Sequence, residues 1–269
     1  MSESILVAVC QFAPTADSAA NVAAIDGLAT RAAARGARIV VLPEYSSYFE
    51  KDLGPAFVAA SQGLDGSFVE GLGRIAARLH LHIVAGLVES TGTDRFSNTL
   101  VAVSPAARIV ATYRKLHLYD AFGQRESDWV VPGEIIRPET FEVDGFRFGL
   151  QTCYDLRFPE VTRVLVDAGA EVVLVPAEWV RGPLKEHHWR TLVTSRALEN
   201  TVYLAAADHV PPVGVGNSMV VDPAGVVIAA IGDEPGFAVG EVRRERLAEV
   251  RRVNPALELR RFSVVPRSN

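Results

Sequence analysis

The chain has 269 residues and 49% of them are hydrophobic, so it can bury a large core as one domain or as two fused halves. A net charge of -5 and the lack of a long basic run argue against a nucleic-acid-binding protein. Two cysteines are too few for a disulfide framework, and no apolar run approaches the ~20 residues of a membrane helix. We therefore expect a cytoplasmic protein with neither a membrane-spanning segment nor a nucleic-acid partner.

Strands and helices alternate along the first half of the chain. The apolar residues 5–11 and 38–42 are typical of strands, and the Ala-rich residues 21–35 between them have helical spacing and are followed by Gly36, a common helix stop. The remaining predictions for this half are a helix at 68–79, a strand at 82–87, and a hairpin of strands 98–103 and 108–113.

The same order of elements starts again after Pro132-Gly133. The patterns predict strands at 146–150, 172–175, 202–207, 218–221 and 226–231, with helices at 159–168 and 188–199. Gly36-Ala-Arg-Ile-Val-Val-Leu-Pro43-Glu44 resembles Gly169-Ala-Glu-Val-Val-Leu-Val-Pro176-Ala-Glu178, and residues 98–110 resemble 217–228. A glycine, a strand and a proline are a common connection, but two matches in one order favour an internal repeat. We predict an α/β fold, a four-layer α-β-β-α sandwich with a pseudo-two-fold repeat, as a single domain over residues 1–269.

Three side chains with complementary chemistry stand where predicted strands end. Glu44 follows the run Val-Val-Leu-Pro, Lys115 ends the strand that begins near Arg108, and Cys153 follows residues 146–150. Alone, the glutamate and the lysine would be ordinary solvated charges. The other cysteine, Cys10, alternates in phase with apolar neighbours and is expected in the core. Because corresponding strand ends would meet in the predicted sandwich, the three groups together indicate a catalytic site.

The chemistry of these groups is that of covalent catalysis. A thiol with a pKa about 8.5 is only slightly ionised at neutral pH, so a nearby base has to take its proton before attack. Glu44 is the candidate base, and Lys115 supplies a positive charge for the thiolate and for the oxyanion of a tetrahedral intermediate, help typically worth ~3 kcal/mol per donor. The main-chain N–H of Tyr154, directly after the nucleophile, is the second expected donor.

Three motifs resemble those of the nitrilase superfamily of carbon–nitrogen hydrolases: Leu-Pro-Glu44, Tyr-Arg-Lys115-Leu-His and Cys153-Tyr-Asp-Leu-Arg-Phe-Pro-Glu160. The resemblance covers nearly the whole chain. It implies that Glu44 is the general base, Lys115 the stabiliser of the intermediate and Cys153 the acylated nucleophile, with Glu126 as a second glutamate of the site. It also implies two six-stranded sheets and a homodimer or higher homo-oligomer, with residues 253–269 as a C-terminal tail that contacts the partner subunit.

The residues after the nucleophile are typical of an amidase. Tyr154-Asp155 follows Cys153, whereas nitrile-hydrolysing members typically have Trp-Glu there and N-carbamoyl amino-acid hydrolases have Asn. Residues 113–122 and 179–189 are similar to bacterial deaminated-glutathione amidases and their ω-amidase relatives. The resemblance implies hydrolysis of a small aliphatic or carboxylate-bearing amide to the acid and ammonia through a thioester. A broad aliphatic amidase and the specific deaminated-glutathione or ω-amidase role both stay open.

A carboxylate on the substrate would need a positive partner. The candidates are Arg157, Arg181 and Lys185, with Trp179 in the same stretch. Each has a plainer interpretation, since Arg157 can pair with Glu160 and Lys185 can simply be exposed.

Other interpretations explain less of the sequence. A Cys–His protease with His188 as the partner of Cys153 leaves Glu44 and Lys115 without a role, and a nitrilase or an inactive binding member of the fold are further alternatives. His187-His188 point in different directions on a helix and do not suit one metal ion. With no phosphate-binding loop in the sequence, we predict neither a cofactor nor a metal.

Overall fold

The computed structural model describes residues 2–267, which form two six-stranded sheets and the helices that cover them. The strands are β1 (Ser4–Gln11), β2 (Ile39–Val41), β3 (His82–Ser90), β4 (Phe96–Val103), β5 (Ile109–Arg114), β6 (Thr140–Val143), β7 (Phe146–Leu150), β8 (Val172–Pro176), β9 (Tyr203–Ala207), β10 (Met219–Val221), β11 (Val227–Ala230) and β12 (Gly236–Arg243). The α-helices are α1 (Ser18–Ala33), α2 (Pro55–Ala60), α3 (Ser67–Leu79), α4 (Pro159–Asp167), α5 (Lys185–Asn200) and α6 (Arg244–Val253). Two short 3₁₀ turns, Glu126–Asp128 and Cys153–Arg157, carry site residues.

The two sheets have the same plan. The first has the strand order β12-β1-β2-β3-β4-β5 and the second the order β6-β7-β8-β9-β10-β11. In each, the first pair is antiparallel, the next two pairs are parallel and the last two are antiparallel. The internal repeat that the sequence predicts is therefore present, with β2 corresponding to β8 and β4 to β10.

The core lies in three layers. The central layer packs the inward side chains of both sheets against each other, among them Val41, Leu100, Phe148 and Leu174. A second layer fills the space between α1, α3 and the first sheet, and a third fills the space between α4, α5 and the second sheet. Cys10 lies in the second of these layers with no exposed surface, as predicted. This is the four-layer α-β-β-α sandwich, and it brings the carboxyl ends of β2 and β8 close together.

Helix α1 shows how local sequence sets an element's limits. It begins at Ser18, earlier than predicted, because the Asp17 carboxylate caps the first turn by accepting the N–H groups of Ala19 and Ala20. It ends at Ala33, two residues before the predicted end, and Gly36, with a φ of 84°, closes the turn that follows.

Four elements lie outside the sequence-based predictions: α2, β6, β12 and α6. Strands β6 and β12 are edge strands that pair on one side only, so their patterns are short or interrupted by polar residues. Helix α6 is densely charged, and only Leu247 in it is buried. Within residues 2–267, no helix has the length and apolar character needed to cross a membrane.

Candidate active site

Glu44 is fixed by a close approach between two strands. It follows β2 after Pro43, whose carbonyl accepts the N–H of Gly86 on β3 at 3.1 Å. A Cβ at position 86 would lie 2.3 Å from the main-chain nitrogen of Tyr45, so only glycine allows β3 to pass so near. The Glu44 side chain is consequently buried and directed away from solvent.

Lys115 directly follows β5 and is held by the neighbouring strand, because its N–H donates to the carbonyl of Asn98 on β4 at 2.9 Å. Its side chain is only 3% exposed. The ammonium Nζ lies 2.9 Å from Glu44 Oε1 and 2.9 Å from Glu126 Oε2. Although burial opposes the charge, the carboxylates of Glu126 and Glu44 raise the pKa of Lys115 well above its usual value. The lysine is therefore a permanent cation.

The carboxylate of Glu126 is saturated with donors. Its Oε1 accepts the Tyr45 hydroxyl at 2.7 Å and the Asn98 amide at 3.0 Å, and its Oε2 accepts the Tyr119 N–H at 2.5 Å. Lys115 Nζ lies within 3.1 Å of both oxygens. Burial raises the pKa of Glu126, but Lys115 and these hydrogen bonds outweigh it and hold the pKa below its usual range. Glu126 is thus an ionised anchor with no free lone pair for a proton.

The carboxylate of Glu44 has fewer donors than the carboxylate of Glu126. Its Oε1 accepts two donors, Lys115 Nζ at 2.9 Å and the Asn98 amide at 2.6 Å. Its Oε2 accepts only the main-chain N–H of Glu178, at 2.7 Å. Since a carboxylate oxygen accepts two hydrogen bonds, Oε2 has one lone pair left. This oxygen can therefore accept one further hydrogen bond.

Cys153 occupies a strained turn at the end of β7. Its φ is 44°, in the left-handed region that β-carbon-bearing residues rarely adopt, as at the nucleophile turns of other hydrolases. The thiol donates to the carbonyl of Glu178 at 3.3 Å. Burial and the charge of Glu44 raise the pKa of Cys153 well above its usual value, and Lys115 opposes them. The resting nucleophile is therefore a neutral thiol, which has to lose its proton during attack.

Asp155 joins the turn of the nucleophile to the loop of the lysine. Its Oδ2 accepts the Tyr113 hydroxyl at 2.6 Å, and its Oδ1 accepts the His117 main-chain N–H at 3.1 Å and lies 2.8 Å from that histidine's Nδ1. The His117 ring also stacks on Phe158, with centroids 3.7 Å apart. Since Lys115 lies between Tyr113 and His117, this buried carboxylate positions both Lys115 and Cys153.

A cavity of about 480 Å³ opens over these groups. Its lining includes the predicted Lys115, Glu126, Cys153, Tyr154, Arg157, Trp179, Arg181 and Lys185, together with Tyr45, Tyr119 and Glu178. Glu44, Lys115 and Cys153, which are far apart in the sequence, are thus brought together at one site. Lys115 and Cys153 line the cavity, and Glu44 accepts hydrogen bonds from Lys115 and from the main-chain N–H of Glu178.

One side of the cavity carries positive charge among aromatic rings. Lys185 is only 7% exposed, so its alternative as a surface residue is wrong. Its Nζ donates to the Tyr119 hydroxyl at 2.7 Å and lies 4.0 Å from the Phe122 ring centre. Burial and the charge of Arg157 lower the pKa of Lys185 from its usual value.

Arg157 shares this environment, with its guanidinium 5.0 Å from the Trp179 ring and 5.5 Å from the Phe122 ring. No ion pair to Glu160 forms within the described part of the chain, and the guanidinium instead reaches His188 Nδ1 at 3.5 Å. Arg181 is half-exposed and lies 3.7 Å from Glu186.

The remaining histidines and acids form no metal site. In the part of the chain that the structure describes, no three His, Cys, Asp or Glu side chains lie close enough together to bind a metal ion. His188 faces Arg157, and the thiol of Cys153 hydrogen-bonds to the Glu178 carbonyl instead of a histidine. The Cys–His interpretation therefore finds no support in the geometry.

Sequence reasoning missed several polar residues that build the site. Asn98 on β4 donates to both Glu44 and Glu126, and Asp208 accepts the N–H of Trp179 at 2.6 Å. His209 Nε2 lies 2.7 Å from the main-chain carbonyl of Glu44. The available signal for Asn98 was a run of three polar residues, Ser97-Asn98-Thr99, at the start of a strand that continues as an apolar run. Glu178 had a signal too, because it ends the repeat that matches Pro43-Glu44.

Comparison with known proteins identifies the class. A family model described as carbon-nitrogen hydrolase matches residues 6–252, and the chain belongs to this family. The deaminated glutathione amidase of Escherichia coli O157:H7 is 41% identical over 259 residues, which cover 96% of this chain and 98% of that protein.

Solved structures agree with this assignment. A Saccharomyces cerevisiae member of branch 10 of the nitrilase superfamily has a TM-score of 0.85 at 27% identity, over 97% of this chain and 98% of that one. A variant of the amidase from Nesterenkonia sp., in which acrylamide has undergone Michael addition at the active-site cysteine, has a TM-score of 0.78 at 29% identity, over 95% of this chain and 100% of that one. The resemblance to the nitrilase superfamily, the predicted fold and the enzyme class, an amidase acting on carbon–nitrogen bonds, are confirmed.

Proposed function

We propose that the protein hydrolyses a small amide whose acyl part carries a carboxylate, with Cys153 as nucleophile, Glu44 as general base, Lys115 as oxyanion stabiliser and Glu126 as the anchor of the lysine. The observation that carries this proposal is the placement of Lys115 Nζ, 2.9 Å from both carboxylates, beside a buried thiol. Deaminated glutathione is a candidate substrate, since a 41% identical relative is named for it.

In the first stage, the thiol proton passes to Oε2 of Glu44 while the sulfur attacks the amide carbon. The oxyanion that forms accepts hydrogen bonds from Lys115 Nζ and from the main-chain N–H of Tyr154. Two of the three N–H bonds of the ammonium are directed at Glu44 and Glu126, which leaves one for the substrate. Glu44 then transfers its proton to the leaving nitrogen, the C–N bond breaks, and ammonia or an amine departs from a thioester on Cys153.

In the second stage, water attacks the thioester carbon and gives its proton to Glu44. The second tetrahedral intermediate uses the same two donors. When it collapses, the C–S bond breaks, the proton on Glu44 returns to the sulfur, and the acid leaves. Lys115 keeps its proton throughout, which agrees with its raised pKa.

The preference for a carboxylate is supported by two cations in the lining of the cavity. Lys185 and Arg157 line it without a carboxylate partner within residues 2–267. A buried cation without a counter-ion costs free energy, and a substrate carboxylate would supply the missing charge. Arg181 already lies near Glu186 and is the weaker candidate.

A substrate panel tests the proposal. Product acid is measured by mass spectrometry for deaminated glutathione, α-ketoglutaramate, glutaramate and plain aliphatic amides, and for the matching nitriles. We expect carboxylate-bearing amides to have the highest kcat/KM and an acyl adduct on Cys153 that is absent in Cys153→Ala. The matched control is Cys10→Ala, which removes the other buried thiol. Equal rates for amides and nitriles, or an adduct in Cys153→Ala, would contradict the proposal.

We further propose that the protein forms a homodimer or higher homo-oligomer through its C-terminal tail. Within residues 254–267, Leu259, Phe262 and Val265 are largely exposed, and Phe262 is 91% exposed. Apolar side chains so exposed in a row suit an interface between subunits. Light scattering of the chain and of Phe262→Ser tests this, and a monomeric parent chain at micromolar concentration would contradict it.

A cytoplasmic location is proposed on the chemistry of the thiols. Both cysteines are free and buried, and the proposed nucleophile has to stay reduced. Fractionation of cells that express the chain tests the location.

A further inference from the structure

A half-buried glutamate in the lining of the cavity has a side chain that the proposed mechanism does not use. Glu178 stands two residues after β8, and its main chain connects the base to the nucleophile. Its N–H donates to Glu44 Oε2 at 2.7 Å, and its carbonyl accepts from the Cys153 thiol at 3.3 Å. Because both main-chain groups are engaged at the reacting atoms, its half-buried side chain is held beside them in the lining of the cavity.

The carboxyl group of Glu178 has no partner. Within residues 2–267 it forms neither a hydrogen bond nor an ion pair, whereas the carboxylates of Glu44 and Glu126 accept several donors each. The side chain is half-buried in the cavity lining, so a molecule that enters the cavity can reach its carboxyl group. This side chain is therefore free to bond to a substrate.

The charges around Glu178 favour its neutral form. Burial and the negative charges of Glu44 and Glu126 raise the pKa of Glu178 well above its usual value, while Lys115 and Lys185 oppose them. The other titratable groups that surround it are Tyr45, Tyr119, Cys153, Arg157 and Asp208. A protonated carboxyl group differs from a carboxylate in having an O–H to donate.

Two groups of the substrate have an expected place in the cavity, one at Cys153 and one at the cations Lys185 and Arg157. The amide carbon has to reach Cys153, and a carboxylate would be drawn to Lys185 and Arg157. Lys185 is near enough to Cys153 and Glu178 for their charges to influence one another. Cys153, Lys185 and Glu178 line the same cavity, so an acyl chain held between the sulfur and the lysine shares that cavity with the Glu178 carboxyl group.

We propose that Glu178 is a specificity-determining residue, which donates a hydrogen bond from its protonated carboxyl group to an acceptor oxygen on the acyl chain of the substrate. The inference rests on the proposed function. Loss of the proton converts the donor into a negative charge that repels a carboxylate-bearing acyl group, so selection for such substrates weakens as the pH rises.

The test compares two substrates of the same length, glutaramate and pentanamide, in which a carboxylate is exchanged for a methyl group. For Glu178→Met, which removes the donor, we expect the KM for glutaramate to rise about tenfold, the loss of roughly one hydrogen bond to a charged group. For pentanamide the change stays within about twofold, since it offers no acyl oxygen besides the reacting one. Glu178→Gln retains an N–H donor and restores most of the binding. The exposed Glu70→Gln is the control for the substitution itself.

The pH profile supplies a second readout that a structural role would not change. In the parent chain, kcat/KM for glutaramate falls on the alkaline side, and the fall disappears in Glu178→Gln. If the fall persists in Glu178→Gln and disappears in Lys185→Arg, the lysine causes it and the proposal is wrong. Equal losses for both substrates in Glu178→Met would also overturn it.

Failure of the proposed function can be distinguished from failure of this inference. If the parent chain hydrolyses neither amide, the affinity for glutarate is measured by calorimetry in Cys153→Ala and in Cys153→Ala with Glu178→Met. Weaker binding in the double variant supports the role of Glu178 even then, and equal binding overturns it. Circular dichroism and thermal unfolding show that each variant is folded.

Discussion

Glu44 and Glu178 stand at corresponding points of the two halves of the molecule. One follows β2 after Pro43, the other follows the matching strand β8 after Pro176, and the main-chain N–H of Glu178 donates to the Glu44 carboxylate. Their surroundings differ, because Glu44 is bonded to Lys115 and Asn98 whereas the carboxyl group of Glu178 has no partner among the described residues.

The difference between these two acids shows how a repeated fold acquires two functions. The strand end places a carboxyl group at the site, and the neighbouring strands decide how many hydrogen-bond donors it meets. In the first half, β4 and β5 contribute the donors Asn98 and Lys115. The corresponding strands of the second half, β10 and β11, contribute none to Glu178.

The strongest test of this comparison makes the same substitution at both positions. We expect Glu44→Gln to lower kcat by about 10³-fold, the usual scale for loss of a general base, because the amide cannot take the thiol proton at the Oε2 position. Glu178→Gln is the matched control and should lose far less. Single-turnover kinetics with a thioester readout would show slow acylation in Glu44→Gln. Equal losses at the two positions would remove the distinction between them.

A second test concerns the two acids that share Lys115. Since Glu126 has no free lone pair, we expect Glu126→Gln to act only through Lys115, whose ammonium group loses one of its two carboxylate partners. The expected kcat is about 10²-fold lower. The acid limb of the pH–rate profile, which reports the base, should stay where it is in the parent chain. A shift of that limb would mean that Glu126 exchanges protons with the substrate.

The third test addresses the buried carboxylate that joins the halves of the site. Asp155→Asn replaces an acceptor of several hydrogen bonds by a group that accepts fewer, so Tyr113 or His117 loses its partner. We expect kcat to fall about tenfold and the free energy of unfolding to fall by about 2 kcal/mol. Urea unfolding and steady-state kinetics measure the two effects. The exposed Asp144→Asn is the control, and an unchanged kcat in Asp155→Asn would show that Lys115 and Cys153 need no such support.

Much of this arrangement follows from the sequence, for a physical reason. Buried strands are continuous apolar runs, so their ends can be recognised in the sequence. Glu44, Lys115 and Cys153 follow the ends of three strands within a few residues. The repeat predicts that two such ends meet. The sequence does not show which donors, from different strands, hydrogen-bond to the same carboxylate oxygens.

Two residues illustrate that limit. Asn98 is the middle one of three consecutive polar residues in β4, and its role depends on Glu44 and Glu126 both lying within 3.0 Å of its amide. Lysine is usually a surface residue, and Lys185 is surrounded by the rings of Tyr119 and Phe122, from a loop distant in sequence, and of Trp179. Edge strands β6 and β12 were missed because half-exposed strands lack a continuous apolar run.

The smallest expected effect concerns the main chain of Glu44. A carbonyl only accepts hydrogen bonds, so the His209 nitrogen that lies 2.7 Å from it, Nε2, has to carry a hydrogen. Burial lowers the pKa of His209 to about 4, and this bond opposes the shift only in part. The fold therefore holds the imidazole neutral, while the unfolded chain takes up a proton near pH 6.5.

Stability from this histidine is complete above pH 6.5 and is lost as the pH falls towards 4, because the unfolded state binds the extra proton. Between pH 6.5 and 5.5 the free energy of unfolding should fall by about 1 kcal/mol from this residue alone. Urea unfolding at both pH values measures the difference for the parent chain and for His209→Gln, which keeps a donor but cannot titrate. A pH dependence that is the same in both would mean that the folded imidazole binds its proton over the same pH range as the unfolded one, so that burial does not hold it neutral.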